Sequence, residues 1–281
     1  MIRTALLTLF LIAIGLGFAL PQTATLLGGI GDIDTYRSAV LWGVPAAALV
    51  LSILFRPRLP RPEGEGPGPL PRRLVLLAVA ALAFAADQGF LGLSSWTGWA
   101  TFTFSDRDMS ASQLALTAAW ALPACLVLGI WGWERALRGA VYAGWRRTMP
   151  PGPAIGLAAL AGLALALPAI LPGGEVRDAA FVAASLVTVL CREISLALLF
   201  ARGGGLLVAG LYRGALTFLE AFVVHDWNSL YFPAYSYVAS GIPFYAARAA
   251  SALLGLIVVA ALTRPTRVPA PVPAPEEEEI P

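Results

Sequence analysis

The sequence predicts an all-α membrane protein, a bundle of about eight transmembrane helices with both termini in the cytoplasm. Of its 281 residues, 58% are hydrophobic and only 13% are charged. The mean hydropathy of +0.75 is far above that of a water-soluble chain. Eight apolar stretches approach the ~20 residues that a spanning helix needs. The arginines between those stretches alternate as the positive-inside rule requires.

The predicted helices follow these apolar stretches in order: 4–20, 38–55, 74–92, 113–133, 154–172, 179–201, 206–224 and 241–263. The first stretch follows Arg3, as a signal peptide would, but cleavage after Ala24 would place Gln22 where a small residue is required. We therefore expect it to be retained as a span. In the fifth stretch, Pro168 and Pro172 should kink or end the helix.

The connections complete a single transmembrane domain, residues 1–263, whose polar subregion is 179–263. Residues 56–73 are rich in proline, glycine and charge, which predicts a flexible cytoplasmic linker. The tail 264–281, Pro-rich and ending in Glu276 to Glu279, should be disordered. Glycines 203 to 205 predict a tight turn between two antiparallel helices. The aromatic segment 226–245 suggests an interfacial belt on the outer side.

Loop arginines set the orientation. With the N-terminus inside, thirteen arginines fall on the inner side, Arg135 and Arg138 among them, and three fall outside: Arg37, Arg107 and Arg177. This asymmetry supports an even number of spans in the cell membrane, with a prokaryotic plasma membrane as the expected location.

Composition excludes several kinds of function. The formal net charge of +2 gives no reason to expect nucleic acid as a partner. Every basic residue is an arginine, so lysine Schiff-base chemistry and a lysine-bearing phosphate loop are excluded. Cys125 and Cys191 lie in apolar runs, and His225 is the single histidine, so no zinc site of thiolates and imidazoles is expected. We predict no metal and no cofactor.

Charged residues inside the late apolar stretches are the candidate site. Arg192 and Glu193 stand together in the run "VLCREISL". Helix arithmetic of ~1.5 Å per residue places them near the level of Arg213, which predicts an inner cluster of Arg192, Glu193 and Arg213. The same arithmetic predicts an outer cluster of Asp87, Glu220 and Arg248.

Both clusters need partners or water, because an unpaired charge at mid-bilayer costs about 2.5–3.5 kcal/mol or more. One interpretation is that Glu193 with Arg213, and Glu220 with Arg248, are ion pairs that only fix packing. The other is a partly wet cavity with one surplus positive charge in its inner layer and one surplus negative charge in its outer layer. His225 and Asp226 would lie at its outer mouth, where Glu220, His225 and Asp87 are candidates for a proton relay.

Known intramembrane enzymes offer no full counterpart. CAAX-type intramembrane proteases combine paired glutamates and a following arginine with two later histidines, the second followed by asparagine. Here Arg192-Glu193 stands in place of the pair, Arg202 is too distant, and His225 is alone with Asn228 three residues later. The motif therefore carries no resemblance.

The leading functional prediction is a transporter-like or lipid-handling protein that binds a small anionic or amphipathic ligand among helices six to eight. Its predicted ligand-binding residues are Arg192, Glu193, Arg213, Glu220 and Arg248. Arg192 and Arg213 would recognise charge, Glu193 would orient them, and Glu220 would be the protonatable group. The alternatives are an intramembrane enzyme at the outer face, using Glu220, His225 and Asp226, and a non-catalytic subunit of a membrane complex.

Overall fold

The computed structural model describes residues 1–20, 39–55, 68–104, 111–171, 178–220, 224–226, 235–239 and 241–263. For residues 102–104, 111, 113–114, 117, 224–226 and 235–239 it describes the backbone alone. The predicted disordered tail, 264–281, and most of the predicted linker lie outside the described residues.

The first half of the bundle consists of four helices. Helix α1 is Ile2–Ala19, α2 runs from a π-helical turn, Ala39–Gly43, into Val44–Leu54, and α3 is Leu70–Thr97. Helix α4 starts as Ala111–Val127 and continues through the π-helical Leu128–Tyr142 into Ala143–Trp145. The wide turn that opens α2 precedes Pro45, whose nitrogen cannot donate an α-helical hydrogen bond.

The second half consists of α5, Pro151–Ile170, α6, Ala179–Leu199, α7, Gly205–Phe218, and α8, Gly241–Leu262. The π-helical segment Phe200–Gly204 ends α6, and Gly203 within it has a φ of 101°. Gly205 follows with a φ of 67°. Left-handed backbone favours glycine, so the predicted glycine turn between α6 and α7 is confirmed.

Helical residues thus lie within all eight of the predicted stretches. Five helical segments of the described chain are long and apolar enough to cross a membrane: Ile2–Ala19, Leu70–Thr97, Pro151–Ile170, Ala179–Phe218 and Gly241–Leu262. The turn at Gly203 divides the fourth of these. The number of spans and the side on which the termini lie remain predictions.

Three short strands form a small sheet that the all-α prediction missed. Strands β1, Ala100–Phe104, β2, Val224–Asp226, and β3, Tyr235–Ala239, pair in the order β1-β3-β2. The β1–β3 pairing is antiparallel and the β2–β3 pairing is parallel. Because β1 follows α3, β2 follows α7 and β3 precedes α8, the sheet marks one end of the bundle, here named the strand end. The alternating sequence Ala100-Thr-Phe-Thr-Phe104 is typical of a strand.

The linker prediction was too long at its C-terminal end. Residues 70–73 form the first turn of α3, with Pro71 at a position that tolerates its missing N–H. The Gly68 amide donates to the Gly203 carbonyl at 2.8 Å, which ties the start of α3 to the α6–α7 turn.

Most of the apolar core is divided between two sets of helices that do not follow the order of the chain. One cluster of buried side chains joins α1, α2, α4 and α5, with Leu7, Val44, Leu137 and Leu165 among its members. A second cluster joins α3, α6, α7 and α8, with Val79, Leu196, Tyr212 and Val259 among its members.

Glycines let the two sets of helices meet at α4 and α7. A Cβ at Gly129 of α4 would lie 2.8 Å from the Gly210 carbonyl oxygen, and a Cβ at Gly214 of α7 would lie 2.7 Å from the Leu126 Cα. Neither position can hold a side chain without a shift of backbone, so α4 and α7 pack backbone against backbone. That close approach brings Glu134 of α4 within reach of Arg213 of α7.

Candidate functional site

Four charges from three helices form a closed cycle, here named the four-charge ring: Glu134, Arg138 and Glu193, which are buried, and Arg213, which is partly buried. Arg213 donates from Nε to Glu134 Oε1 at 2.6 Å and from Nη2 to Glu193 Oε1 at 2.5 Å. Arg138 Nη2 lies 2.6 Å from Glu193 Oε2, and its Nη1 lies 3.3 Å from Glu134 Oε1. The ring is formally neutral and joins α4 to α6 and α7.

Further contacts hold the ring in place. Arg138 Nη2 also donates to the Glu193 backbone carbonyl at 2.6 Å. The Arg213 guanidinium lies 5.0 Å from the centre of the Trp133 ring, within the range of a cation–π contact. On α5, Gly162 faces the Glu193 carboxylate so closely that a Cβ there would overlap it. The four-charge ring thus requires glycine at position 162 as well as its four charged residues.

A second group, here named the four-charge chain, consists of Asp87, Arg192, Glu220 and Arg248. Arg192 donates from Nε to Asp87 Oδ2 and from Nη1 to Glu220 Oε1, both at 2.7 Å. Arg248 Nη2 lies 3.6 Å from the same Glu220 oxygen. Gln88 donates to Asp87 Oδ2 at 3.0 Å. This four-charge chain links α3, α6, α7 and α8 and is also formally neutral.

The structure corrects the predicted grouping of these charges. Glu193 pairs with Arg213 as expected, and Glu220 pairs with Arg248. Arg192, however, bonds to the predicted outer residues Asp87 and Glu220 and not to the inner group, so Glu193 does not orient it. The prediction of one surplus positive charge in the inner layer and one surplus negative charge in the outer layer is also wrong. The four-charge ring and the four-charge chain each contain two arginines and two carboxylates.

Glu134 and Arg138 are site residues that sequence reasoning missed. Arg138 was placed among the inner-side loop arginines, yet its side chain and that of Glu134 are both 0% exposed. Their spacing of four in "WERALRG" is the signal that was available, since it puts opposite charges on one helical face. The apolar residues around them hide that signal in a hydropathy profile.

A cavity of about 200 Å³ lies between the helices beside both groups. All five predicted ligand-binding residues line it: Arg192, Glu193, Arg213, Glu220 and Arg248. Trp133, Phe181, Leu165 and Ile170 contribute to its apolar wall. Because Phe181 lies in the first turn of α6 and Ile170 ends α5, the cavity extends toward the strand end of the bundle.

Several polar atoms around this cavity have no hydrogen-bond partner among the described residues: Arg192 Nη2, Arg248 Nε and Ser185 Oγ. Ser185 is 3% exposed and Arg192 is 7% exposed, and both side chains line the cavity. Buried polar groups are normally satisfied, because a lone buried donor or acceptor costs about 1–3 kcal/mol. Water or a ligand in the cavity would satisfy these atoms.

The predicted proton relay is only partly described. Asp87 and Glu220 both contact Arg192, but they do not contact each other directly in the described hydrogen bonds. His225 lies in β2, where its backbone pairs in register with Ser236. The side chains of His225 and Asp226 lie outside the described residues, so their place in a relay stays a prediction.

No group of three or more His, Cys, Asp or Glu side chains in the described part of the chain could hold a metal ion. Cys125 and Cys191 are buried free thiols on different helices.

Comparisons with protein-family models, curated proteins and solved structures found no match for this chain. The function must therefore be argued from the site itself.

Proposed function

We propose that this protein binds a small anionic or amphipathic ligand in the cavity between its helices, as a transporter-like or lipid-handling membrane protein. The observation that carries the proposal is a cavity lined by Arg192 and Arg248, each of which has a buried donor, Nη2 and Nε respectively, without a hydrogen-bond partner among the described residues. Guanidinium groups with free donors favour carboxylate and phosphate oxygens.

The composition of the cavity wall supports an anion. Three arginines line it against two glutamates: Arg192, Arg213 and Arg248 against Glu193 and Glu220. Asp87, Glu134 and Arg138 are not part of the wall. The side chains of the wall itself thus carry one more positive than negative charge, and a low-dielectric setting strengthens their attraction for an anionic group.

Size and polarity restrict the ligand further. The cavity volume of about 200 Å³ is below the range of roughly 300–1,000 Å³ that is common for drug-sized ligands. Its apolar side chains, Leu165, Ile170, Phe181 and Leu216 among them, would contact a short hydrocarbon part. A short-chain monocarboxylate fits both features, as would the anionic part of a lipid.

The test uses the full chain reconstituted in liposomes, with radiolabelled octanoate and inorganic phosphate as separate probes. We expect saturable octanoate binding that Arg248→Gln weakens about tenfold or more, as loss of a charged hydrogen bond of ~1.5–3 kcal/mol implies. Arg3→Gln is the matched control, because Arg3 is exposed near the N-terminus and far along the chain from the cavity. Uptake into the liposomes in excess of that into protein-free liposomes separates transport from binding alone.

The outcomes separate the candidate ligands and functions. Saturable phosphate binding without octanoate binding would favour a purely ionic ligand over an amphipathic one. If neither probe binds to folded protein, the proposal is wrong. The alternative of an assembly subunit would then gain weight, because the directly bonded four-charge ring fits a structural role.

A further inference from the structure

Glu220 differs from the other carboxylates of the two charge groups in its access to solvent. Its side chain is 35% exposed, whereas those of Asp87, Glu134 and Glu193 are 1%, 0% and 2% exposed. It stands at the strand end of α7 and lines the cavity. Of these four acids, Glu220 is the one that protons and ions in water can reach most easily.

Glu220 also binds to the same groups that a ligand anion would need. Its Oε1 lies 2.7 Å from Arg192 Nη1 and 3.6 Å from Arg248 Nη2. Both arginines line the cavity, and each has a further nitrogen without a partner in the described part of the chain, Nη2 in Arg192 and Nε in Arg248. A carboxylate in the cavity would therefore compete with the Glu220 carboxylate for the same two arginines.

Charge balance opposes simple addition of an anion. The four-charge ring and the four-charge chain together contain four arginines and four carboxylates. These eight groups are therefore formally neutral before a ligand binds. A bare anion would leave one uncompensated negative charge in a poorly hydrated interior, which is strongly unfavourable. One proton that binds together with the anion would keep the site neutral.

We propose that Glu220 occupies the position of the ligand's anionic group at Arg192 and Arg248, and that ligand binding displaces it and adds one proton to it. The inference rests on the proposed anion-binding function and specifies how that site is regulated. The ligand class is a monovalent carboxylate, since one carboxylate then replaces another.

The step balances in charge and protons. The ligand carboxylate accepts hydrogen bonds from Arg192 and Arg248, the Glu220 carboxylate leaves them, and a proton from the aqueous phase binds to the Glu220 carboxyl group. Asp87 stays bonded to Arg192 Nε, so Arg192 keeps one permanent counter-ion. Among the residues whose side chains the structure describes, those facing Glu220 or sharing its cavity include Arg192 and Glu193 on α6, Tyr212 and Arg213 on α7, Arg248 on α8 and Asp87 on α3.

The test measures octanoate affinity between pH 6 and 8, where the probe stays ionised because carboxyl pKa values lie near ~4. In the wild type, affinity should rise as pH falls, by up to about tenfold per pH unit for one linked proton. Glu220→Gln should bind octanoate more tightly at pH 8 and lose most of this pH dependence. Uptake of one proton per octanoate by the wild type, followed with a pH indicator in weak buffer, is a second measurement that needs no variant.

Asp178→Asn is the matched control. Asp178 is exposed beside the first turn of α6, where its carboxylate accepts from the Ala180 amide at 2.9 Å, and asparagine caps a helix equally well. This variant should keep the pH dependence of the wild type.

Each result decides between the two proposals. Saturable octanoate binding with a flat pH profile and no proton uptake in the wild type would overturn the role of Glu220 and leave the anion site intact. Equal affinity and equal pH profiles in wild type and folded Glu220→Gln would do the same. Absence of octanoate binding in both proteins would overturn the anion site and this inference with it.

Discussion

Arg192 and Glu193 are adjacent in the chain, yet their side chains belong to different ion-pair groups. Arg192 binds Asp87 and Glu220, while Glu193 binds Arg138 and Arg213. Consecutive residues of an α-helix point about 100° apart, so α6 can present one charge to α3 and α7 and the other to α4 and α7. Arg192 and Glu193 thus connect α6 to neighbouring helices and do not form an ion pair with each other.

Loss of Arg138 should destabilise the protein strongly. Arg138→Met would remove the partner of the buried Glu193 and Glu134 carboxylates and leave both with Arg213 alone. We expect the free energy of unfolding in mixed micelles to fall by about 3–5 kcal/mol, the cost of breaking a buried ion pair on one side. Arg135→Met is the control, because Arg135 is partly exposed and contacts Trp131 at 5.7 Å. Equal losses for the two variants would contradict the ring.

Gly162 should be intolerant of a side chain because of Glu193. Gly162→Ala places a methyl group on the Glu193 carboxylate, so either the carboxylate or α5 must move. Overpacking of this kind costs about 1–3 kcal/mol, measurable as a lower thermal midpoint.

The same helix provides a matched control for that substitution. A Cβ at Gly156 of α5 would meet nothing within 4 Å. Gly156→Ala should therefore leave stability unchanged or raise it by up to about 1 kcal/mol, since alanine is the better helix former. If both variants behave alike, the close approach of α5 to Glu193 is not as described.

Ser185→Ala should change stability and ligand binding in opposite directions. The Ser185 hydroxyl is buried without a partner among the described residues, so its removal should leave the ligand-free protein equally stable or up to about 1–3 kcal/mol more stable. Octanoate binding should weaken if that hydroxyl donates to the ligand.

Ser195→Ala is the comparison for this prediction. Ser195 lies on the same helix, but its hydroxyl already donates to the Cys191 carbonyl at 2.8 Å, and it does not line the cavity. Its loss should not change octanoate affinity. Unchanged binding in both variants would remove Ser185 from the ligand site.

The predicted alternation of eight spans can be tested with phosphatase reporters fused at the helix ends. If both termini are cytoplasmic, reporters after Phe55, Arg147 and Gly203 should be inactive, and reporters after Leu20, Gly98 and Leu171 should be active. The reason is that each spanning helix carries the chain from one side of the bilayer to the other. Two successive fusion sites that report the same side would show that the helix between them does not cross.

The sequence by itself was enough to predict a membrane protein and the approximate positions of its helices. Apolar runs of spanning length are enough to specify helical segments, because backbone groups in lipid must be satisfied within the segment itself. Charges that are rare and costly in such runs also drew attention to Arg192, Glu193, Arg213, Glu220 and Arg248 as candidates for ligand binding. All five line one cavity, and their role in binding stays a prediction. Glycines 203 to 205 marked the turn between α6 and α7.

Only the tertiary structure decided how the charges pair. Depth along a helix follows from 1.5 Å per residue, but partner choice depends on the rotation and spacing of neighbouring helices, which hydropathy does not encode. Arg192 therefore bonds to Asp87 and Glu220 and not to the predicted inner group. Arg138, which was predicted to lie in an inner-side loop, is buried and completes the four-charge ring. The glycines at 129, 162 and 214 were not recognised as contact points, because a missing side chain acquires meaning only when another helix fills its place.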